Sequence, residues 1–154
     1  MIYLGADHRG FELKEKVKVF LEEEGREFED LGNTIYDRED DYPDFGEAVA
    51  RRVGENPDEN RGILFCGSGV GMDIVANKFK GVRSALVWSD DGDLVRRSRE
   101  HDGANVLSLP ADFLAERQAK KIVKTWLETS FTSEERHRRR IEKISALERN
   151  LWKE

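Results

Sequence analysis

Five short apolar runs, each followed by a segment of helical period, leave this chain few folds to choose from. The runs are IYLGAD (residues 2–7), EFEDL (27–31), GILFC (62–66), VRSALVW (82–88) and ANVLSL (104–109). Between them lie GFELKEKVKVFLEEEG, DFGEAVARRVGE, MDIVANKF and DDGDLVRRSREH; FLAERQAKKIVKTWLE and a long charged tail follow the last. In the first helical segment Leu13, Val17, Phe20 and Leu21 share one face, and Gly25 suits its C-terminal cap. Asp44 is expected to cap the second. GILFC is apolar throughout, as a central strand buried on both faces must be. Strands alternating with helices predict a parallel sheet covered on both sides.

The length of 154 residues suits a single domain with its own core. One cysteine allows no internal disulfide and fits a reducing compartment. The apolar runs are too short to cross a bilayer, and IYLGAD follows Met1 with no basic region or cleavage pattern. The expectation is a cytoplasmic protein without membrane contact. A net charge of −6 argues against a nucleic-acid partner.

In open parallel sheets, ligands bind beyond the carboxyl ends of the strands. That rule selects Asp7 and His8 after the first run, Cys66 to Gly71 after the third, and Asp90 after the fourth. In CGSGVG, the glycines at 67, 69 and 71 let backbone N–H groups converge on a phosphate or a developing oxyanion. A dinucleotide fingerprint would need its third glycine where Met72 stands, so the match to that motif is partial even though Asp90 follows at the ribose-acid distance. A tight turn that binds nothing is the plainer reading, and the adjacent Cys66 and Ser68 count against it. Cys66 by itself is a small buried apolar residue; at the start of a helix its thiolate form is favoured.

The three histidines are His8 in DHRG, His101 in REHDGAN and His137 in RHRRR. Neither paired histidines at ligand spacing nor a second cysteine is present, so no metal is expected. Arg136 and Arg140 lie four apart on one helix side, either as a solvated face or as an anion site. Ile141, Ile144, Leu147 and Leu151 make a narrow apolar stripe on the same tail, which suggests packing against a partner subunit.

Taken together, GADHRGFELK, DYPDF, ILFCGSGVGMDIVANKFKGVRSAL, REHDGANVL and RHRRRIEKI resemble ribose-5-phosphate isomerase type B and its galactose-6-phosphate and allose-6-phosphate relatives. The resemblance covers nearly the whole chain. It implies a three-layer α/β/α sandwich on a Rossmann-like five-stranded parallel sheet of order 2-1-3-5-4. The domain would span residues 1–154, with 133–154 a dimerisation helix in a homodimer or a dimer of dimers. It also implies a cofactor-free aldose–ketose isomerisation of a sugar phosphate through an enediolate, with active sites at the subunit interface.

By the same resemblance Cys66 is the proton-transfer base, Gly67, Ser68, Gly69 and Gly71 hold the enediolate oxygen, and Asp7 with His101 opens the sugar ring. His8, Arg136, His137 and Arg140 surround the phosphate, Tyr42 packs on the sugar and Asn77 supports the loop. The chain departs from the family pattern twice. His101-Asp102-Gly103 replaces the usual His-Asn-Asp or His-Asn-Asn, and Leu109-Pro110-Ala111-Asp112 replaces a Leu-Gly-x-Arg phosphate motif. Asp102 therefore stands near the substrate in place of asparagine. Asp112 is expected to turn away and cap a helix starting near Phe113, leaving Arg99 to assist with the phosphate.

Overall fold

The computed structural model describes residues 1–152. Strands β1 (Ile2–Ala6), β2 (Phe28–Asp30), β3 (Arg61–Cys66), β4 (Ser84–Leu86) and β5 (Val106–Pro110) form one sheet of order β2-β1-β3-β5-β4. Every pairing is parallel, and in the register Ala6 lies opposite Phe65 and Cys66 opposite Pro110. The helices are α1 (Phe11–Glu23), α2 (Tyr42–Glu55), α3 (Val70–Ala76), α4 (Gly92–Glu100), α5 (Glu116–Glu128) and α6 (Glu135–Leu151).

Strand alternation divides the core between the two faces. Ile2, Leu4, Ile63, Phe65, Leu107 and Leu109 point to the side covered by α1 and α5, against Val17, Leu21, Ile122 and Trp126. Tyr3, Leu64, Cys66 and Val106 point to the other side, against Val49 and Val53 of α2 and Met72 and Ala76 of α3. The covered parallel sheet is as the strand–helix alternation predicts, and its strand order is the one the family resemblance implies.

The differences lie at element ends. Helix α2 starts at Tyr42, two residues before the expected Asp44 cap. Asp41 takes the extended cap position and Pro43 falls in the first turn, where its fixed φ favours helix entry and its missing N–H costs nothing. Helix α5 starts at Glu116. Residues 111–113 form a turn instead, and Gln118 Oε1 accepts from the Ala115 N–H at 3.0 Å. Gly25 does follow α1 with φ +66°, and the Arg26 N–H returns to the Leu21 carbonyl.

Helix α6 leaves much of its apolar stripe uncovered. Ile144 is 42%, Leu147 60% and Leu151 79% exposed. Among the described residues no helix is long and apolar enough to cross a membrane.

Candidate active site

The order of the sheet reverses direction between β1 and β3, and the carboxyl ends of those two strands lie side by side. Asp7 follows β1 and Cys66 ends β3; the Asp7 N–H donates to the Phe65 carbonyl at 3.3 Å. Both side chains are withdrawn from water, Asp7 6% and Cys66 4% exposed. Burial pushes the Asp7 carboxyl above the usual carboxylate range, although the Gly10 N–H donates to its Oδ1 at 2.9 Å. Burial likewise pushes the Cys66 thiol up, and the charge of Asp7 adds to that. Backbone N–H groups of Met72, Gly69 and Ser68 pull the other way without winning. This reverses the expectation that the loop alone would favour the thiolate. Two acids whose pKa values burial raises in one dry corner are suited to holding and passing a proton.

The loop after Cys66 needs its glycines. Gly69 has φ +76°, and a β-carbon there would lie 2.5 Å from Leu86 Cδ1 and 3.1 Å from the Pro110 nitrogen. At Gly71 the ring of Tyr42 comes so close that a β-carbon would meet Cε2 at 2.7 Å. Tyr42, 41% exposed at the start of α2, thus roofs the loop. Ser68 is exposed and its hydroxyl accepts from the Val70 N–H at 3.3 Å. Asn77 stitches α3 to β4, donating to the Ser84 carbonyl at 3.1 Å and accepting from the Ser84 N–H at 2.9 Å. It positions the loop's helix.

His8 is held by a residue the sequence reading passed over. Asp40 Oδ1 accepts from the His8 backbone N–H at 3.0 Å and from Nδ1 at 2.7 Å, while its Oδ2 accepts from Asn33 at 2.9 Å. With Nδ1–H donated to the carboxylate, Nε2 is left without a hydrogen-bond partner among the described residues. Asp40 lies in the acid-rich loop of residues 31–41 between β2 and α2, and nothing in that composition singles it out.

Asp112 does not cap a helix. Its Oδ2 accepts from Arg9 Nη2 at 2.6 Å and Nε at 2.9 Å. The pair lies directly over Gly67, where a β-carbon would be 2.7 Å from both Arg9 Nε and Asp112 Oδ2. The aspartate's charge is thereby neutralised at the loop's edge. Asp90, the ribose acid of the nucleotide alternative, is bound to Lys121 at 3.1 Å.

The remaining candidates form a second group. His101 and His137 stack with ring centres 4.3 Å apart. His137 is 2% exposed; its Nδ1 bonds to the Thr132 hydroxyl at 3.0 Å, and that hydroxyl donates to the Glu100 carbonyl. Desolvation, with His101 and Arg136 nearby, lowers the His137 pKa. Arg136 is exposed and donates to Glu134 at 2.9 Å; Arg140 is exposed, with no carboxylate in ion-pair range among the described residues. Asp102 is exposed beside His101. Arg99 is not available to this group: it is 6% exposed, donates to the Thr129 and Ala104 carbonyls and lies over Trp126.

The two groups are at opposite ends of the sheet. His101 and Asp102 precede β5, whereas Cys66 lies opposite β5's last residue. A five-residue strand spans roughly 13 Å at ~3.3 Å per residue, so one chain does not bring the groups together. Among the described residues no group of three or more His, Cys, Asp or Glu side chains is placed to hold a metal ion.

Known proteins share this fold over nearly its full length. The ribose/galactose isomerase family model matches residues 2–144. Ribose-5-phosphate isomerase B of Mycobacterium tuberculosis is 38% identical over 148 residues, which cover 96% of this chain and 90% of that protein. The crystal structure of ribose-5-phosphate isomerase B from Mycoplasma genitalium with bound ribulose 5-phosphate superposes with a TM-score of 0.91 at 42% identity, covering 96% of this chain and 95% of the other. The Thermotoga maritima ribose 5-phosphate isomerase structure gives 0.86 at 42% identity, covering 94% and 97%. With its sheet order, loop and paired acids alongside these relatives, the chain belongs to the ribose/galactose isomerase family.

Proposed function

We propose that this protein interconverts ribose 5-phosphate and ribulose 5-phosphate by acid–base chemistry, with Cys66 as the proton-transfer base. The observation that carries the reading is the buried Asp7–Cys66 pair beneath the Gly67–Gly71 loop. The Asp7 carboxyl, protonated more readily than an exposed one, delivers a proton to the ring oxygen while the partner's His101 takes the proton of the anomeric hydroxyl, and the sugar opens; the Asp7 carboxylate left behind then takes the proton of the Cys66 thiol. The Cys66 thiolate then takes the proton from C2 of the open aldose. Charge moves to O1, where loop N–H groups stabilise it. Transfer of the hydroxyl proton from O2 to O1 and return of the thiol proton to C1 give the ketose.

The opposite placement of the two groups supports a homodimer in which each active site takes Asp7, His8, Cys66 and the loop from one chain. The partner's His101, Asp102, Arg136, His137 and Arg140 complete it. On this reading the uncovered stripe of α6 docks on the partner. His8 and the two arginines hold the phosphate, Arg136 exchanging Glu134 for the substrate.

The test is an isomerisation assay on pentose and hexose phosphates with a chelator present. Ribose 5-phosphate turnover should exceed that of hexose 6-phosphates and survive chelation. Turnover confined to hexose phosphates would reassign the substrate, and none on any sugar phosphate would overturn the reading.

A further inference from the structure

At the amino end of β3, β4 and β5 a cavity of about 230 Å³ opens between the sheet and α6, lined by Arg61, Arg83, Arg99, Gly103, Phe131 and Ile141. Of the residues expected near the substrate only Arg99, which the fold withdraws from the active site, lines it. Three guanidinium groups gather there in a chain whose net charge is −6. No carboxylate comes within ion-pair distance of any of them among the described residues, although most other arginines and lysines with partners have found an acid.

Their contacts are backbone carbonyls. Arg61 donates to Asn60 at 2.7 Å and Asp58 at 3.0 Å, Arg83 Nε donates to Gly103 at 3.0 Å, and Arg99 Nε donates to Thr129 at 3.2 Å. These bonds aim the side chains but cancel no charge. Among the described residues, Nη2 of Arg83 and Nη2 of Arg99 have no protein acceptor. Burial lowers all three pKa values, Arg99 to about 10 with Arg61 and Arg83 pushing it further down. Asp58, on the cavity wall, and Glu148, tied to the Gly81 N–H, are the acids whose fields reach them.

Three partly desolvated cations that repel one another form a site that an anion would relieve. The arginine fork suits a tetrahedral oxyanion. The volume is below that of sites for drug-sized ligands, typically ~300 Å³ or more. Phe131 and Ile141 supply an apolar wall for a short carbon chain.

We propose that this cavity binds a phosphate dianion, free or as the monoester of a short carbon chain, between Arg83 and Arg99. Such an anion would tie the turn that carries His101 to the connection that leads into α6 and its Arg136, His137 and Arg140. Its occupancy would therefore stiffen the half-site each protomer lends to its partner. This last coupling rests on the proposed function; the binding itself does not.

The experiment compares thermal unfolding in phosphate and in chloride at equal ionic strength. The background is an Arg136→Ala, Arg140→Ala variant, which removes the substrate phosphate contacts proposed above. Phosphate should still raise Tm by ~3 °C or more at saturation, and adding Arg83→Gln should abolish the rise. Glycerol 3-phosphate should give a larger rise than inorganic phosphate if the carbon chain is recognised, and an equal one if free phosphate is the ligand. Because Arg83→Gln can impair folding, a second variant, Ser130→Glu, supplies a carboxylate from the cavity wall. It should raise Tm in chloride and remove the phosphate response. Loss of the response in the Arg136→Ala, Arg140→Ala background, or its persistence in both Arg83→Gln and Ser130→Glu, overturns the site.

Discussion

Replacing Gly69 by alanine imposes two separate costs, and Gly25 provides the control that divides them. Both residues have left-handed backbones, φ +76° and +66°, which cost a β-carbon about 1–2 kcal/mol. At Gly25 nothing lies within 4 Å of the new carbon. At Gly69 it would meet Leu86 Cδ1 at 2.5 Å, the Pro110 nitrogen at 3.1 Å and the Leu109 carbonyl carbon at 3.2 Å. The leucine tip can swing aside, but the strand β5 backbone cannot, so overpacking adds about 1–3 kcal/mol. Gly69→Ala should therefore unfold ~2–12 °C below Gly25→Ala. Its kcat on ribose 5-phosphate should fall on the order of 100-fold as the loop N–H groups are displaced, while Gly25→Ala keeps wild-type kcat. Thermal unfolding and initial rates on the two purified variants decide it. Equal destabilisation, or a Gly69→Ala enzyme with normal kcat, refutes the claim that this turn is held at a packed, fixed geometry.

Three further outcomes are expected. Asp30 is pushed up by burial but brought below its usual range overall by Lys14 and Lys18, and the Lys14 side chain is fully buried. The stability it contributes is complete above a pH of about 3.8 and is lost as pH falls through its lower folded value, so Asp30→Asn should cost ~3 kcal/mol near neutrality and progressively less in acid; a denaturation midpoint unchanged at pH 7 would count against this. Asp40→Ala should raise KM for ribose 5-phosphate about fivefold or more with a smaller change in kcat, since His8 loses its orienting acceptor; steady-state kinetics with an unchanged KM would remove His8 from the phosphate site. Mixing inactive Cys66→Ala and Arg140→Ala proteins under subunit exchange should restore about a quarter of wild-type activity, because half the dimers then carry one intact composite site; no recovery would place each site within a single chain.

The layers of this fold were legible because period-2 and period-3.6 patterns report burial directly. Cys66 was legible as a candidate because it ends an apolar strand and enters a glycine turn. Element ends were harder to read. Pro43 moved the start of α2 ahead of Asp44, and Leu114, buried in the core, ends a turn that delays α5 to Glu116. Asp40 and Arg9 were missed for a physical reason. Their partners, His8 and Asp112, are 32 and 103 residues away along the chain, and local sequence carries no signal for such pairs. The thiol's protonation was misread because backbone donors are visible in a loop motif, whereas the depth of burial that opposes them depends on the whole sheet.

The central claim is that Cys66 moves the proton between the two carbons, and kcat of Cys66→Ala on ribose 5-phosphate tests it most directly. General-base catalysis contributes roughly 10²–10⁴-fold, so kcat should fall by about 10³-fold while ribose 5-phosphate still raises the variant's Tm as it does the wild type's. A Cys66→Ala enzyme turning over at near the wild-type rate would contradict the account.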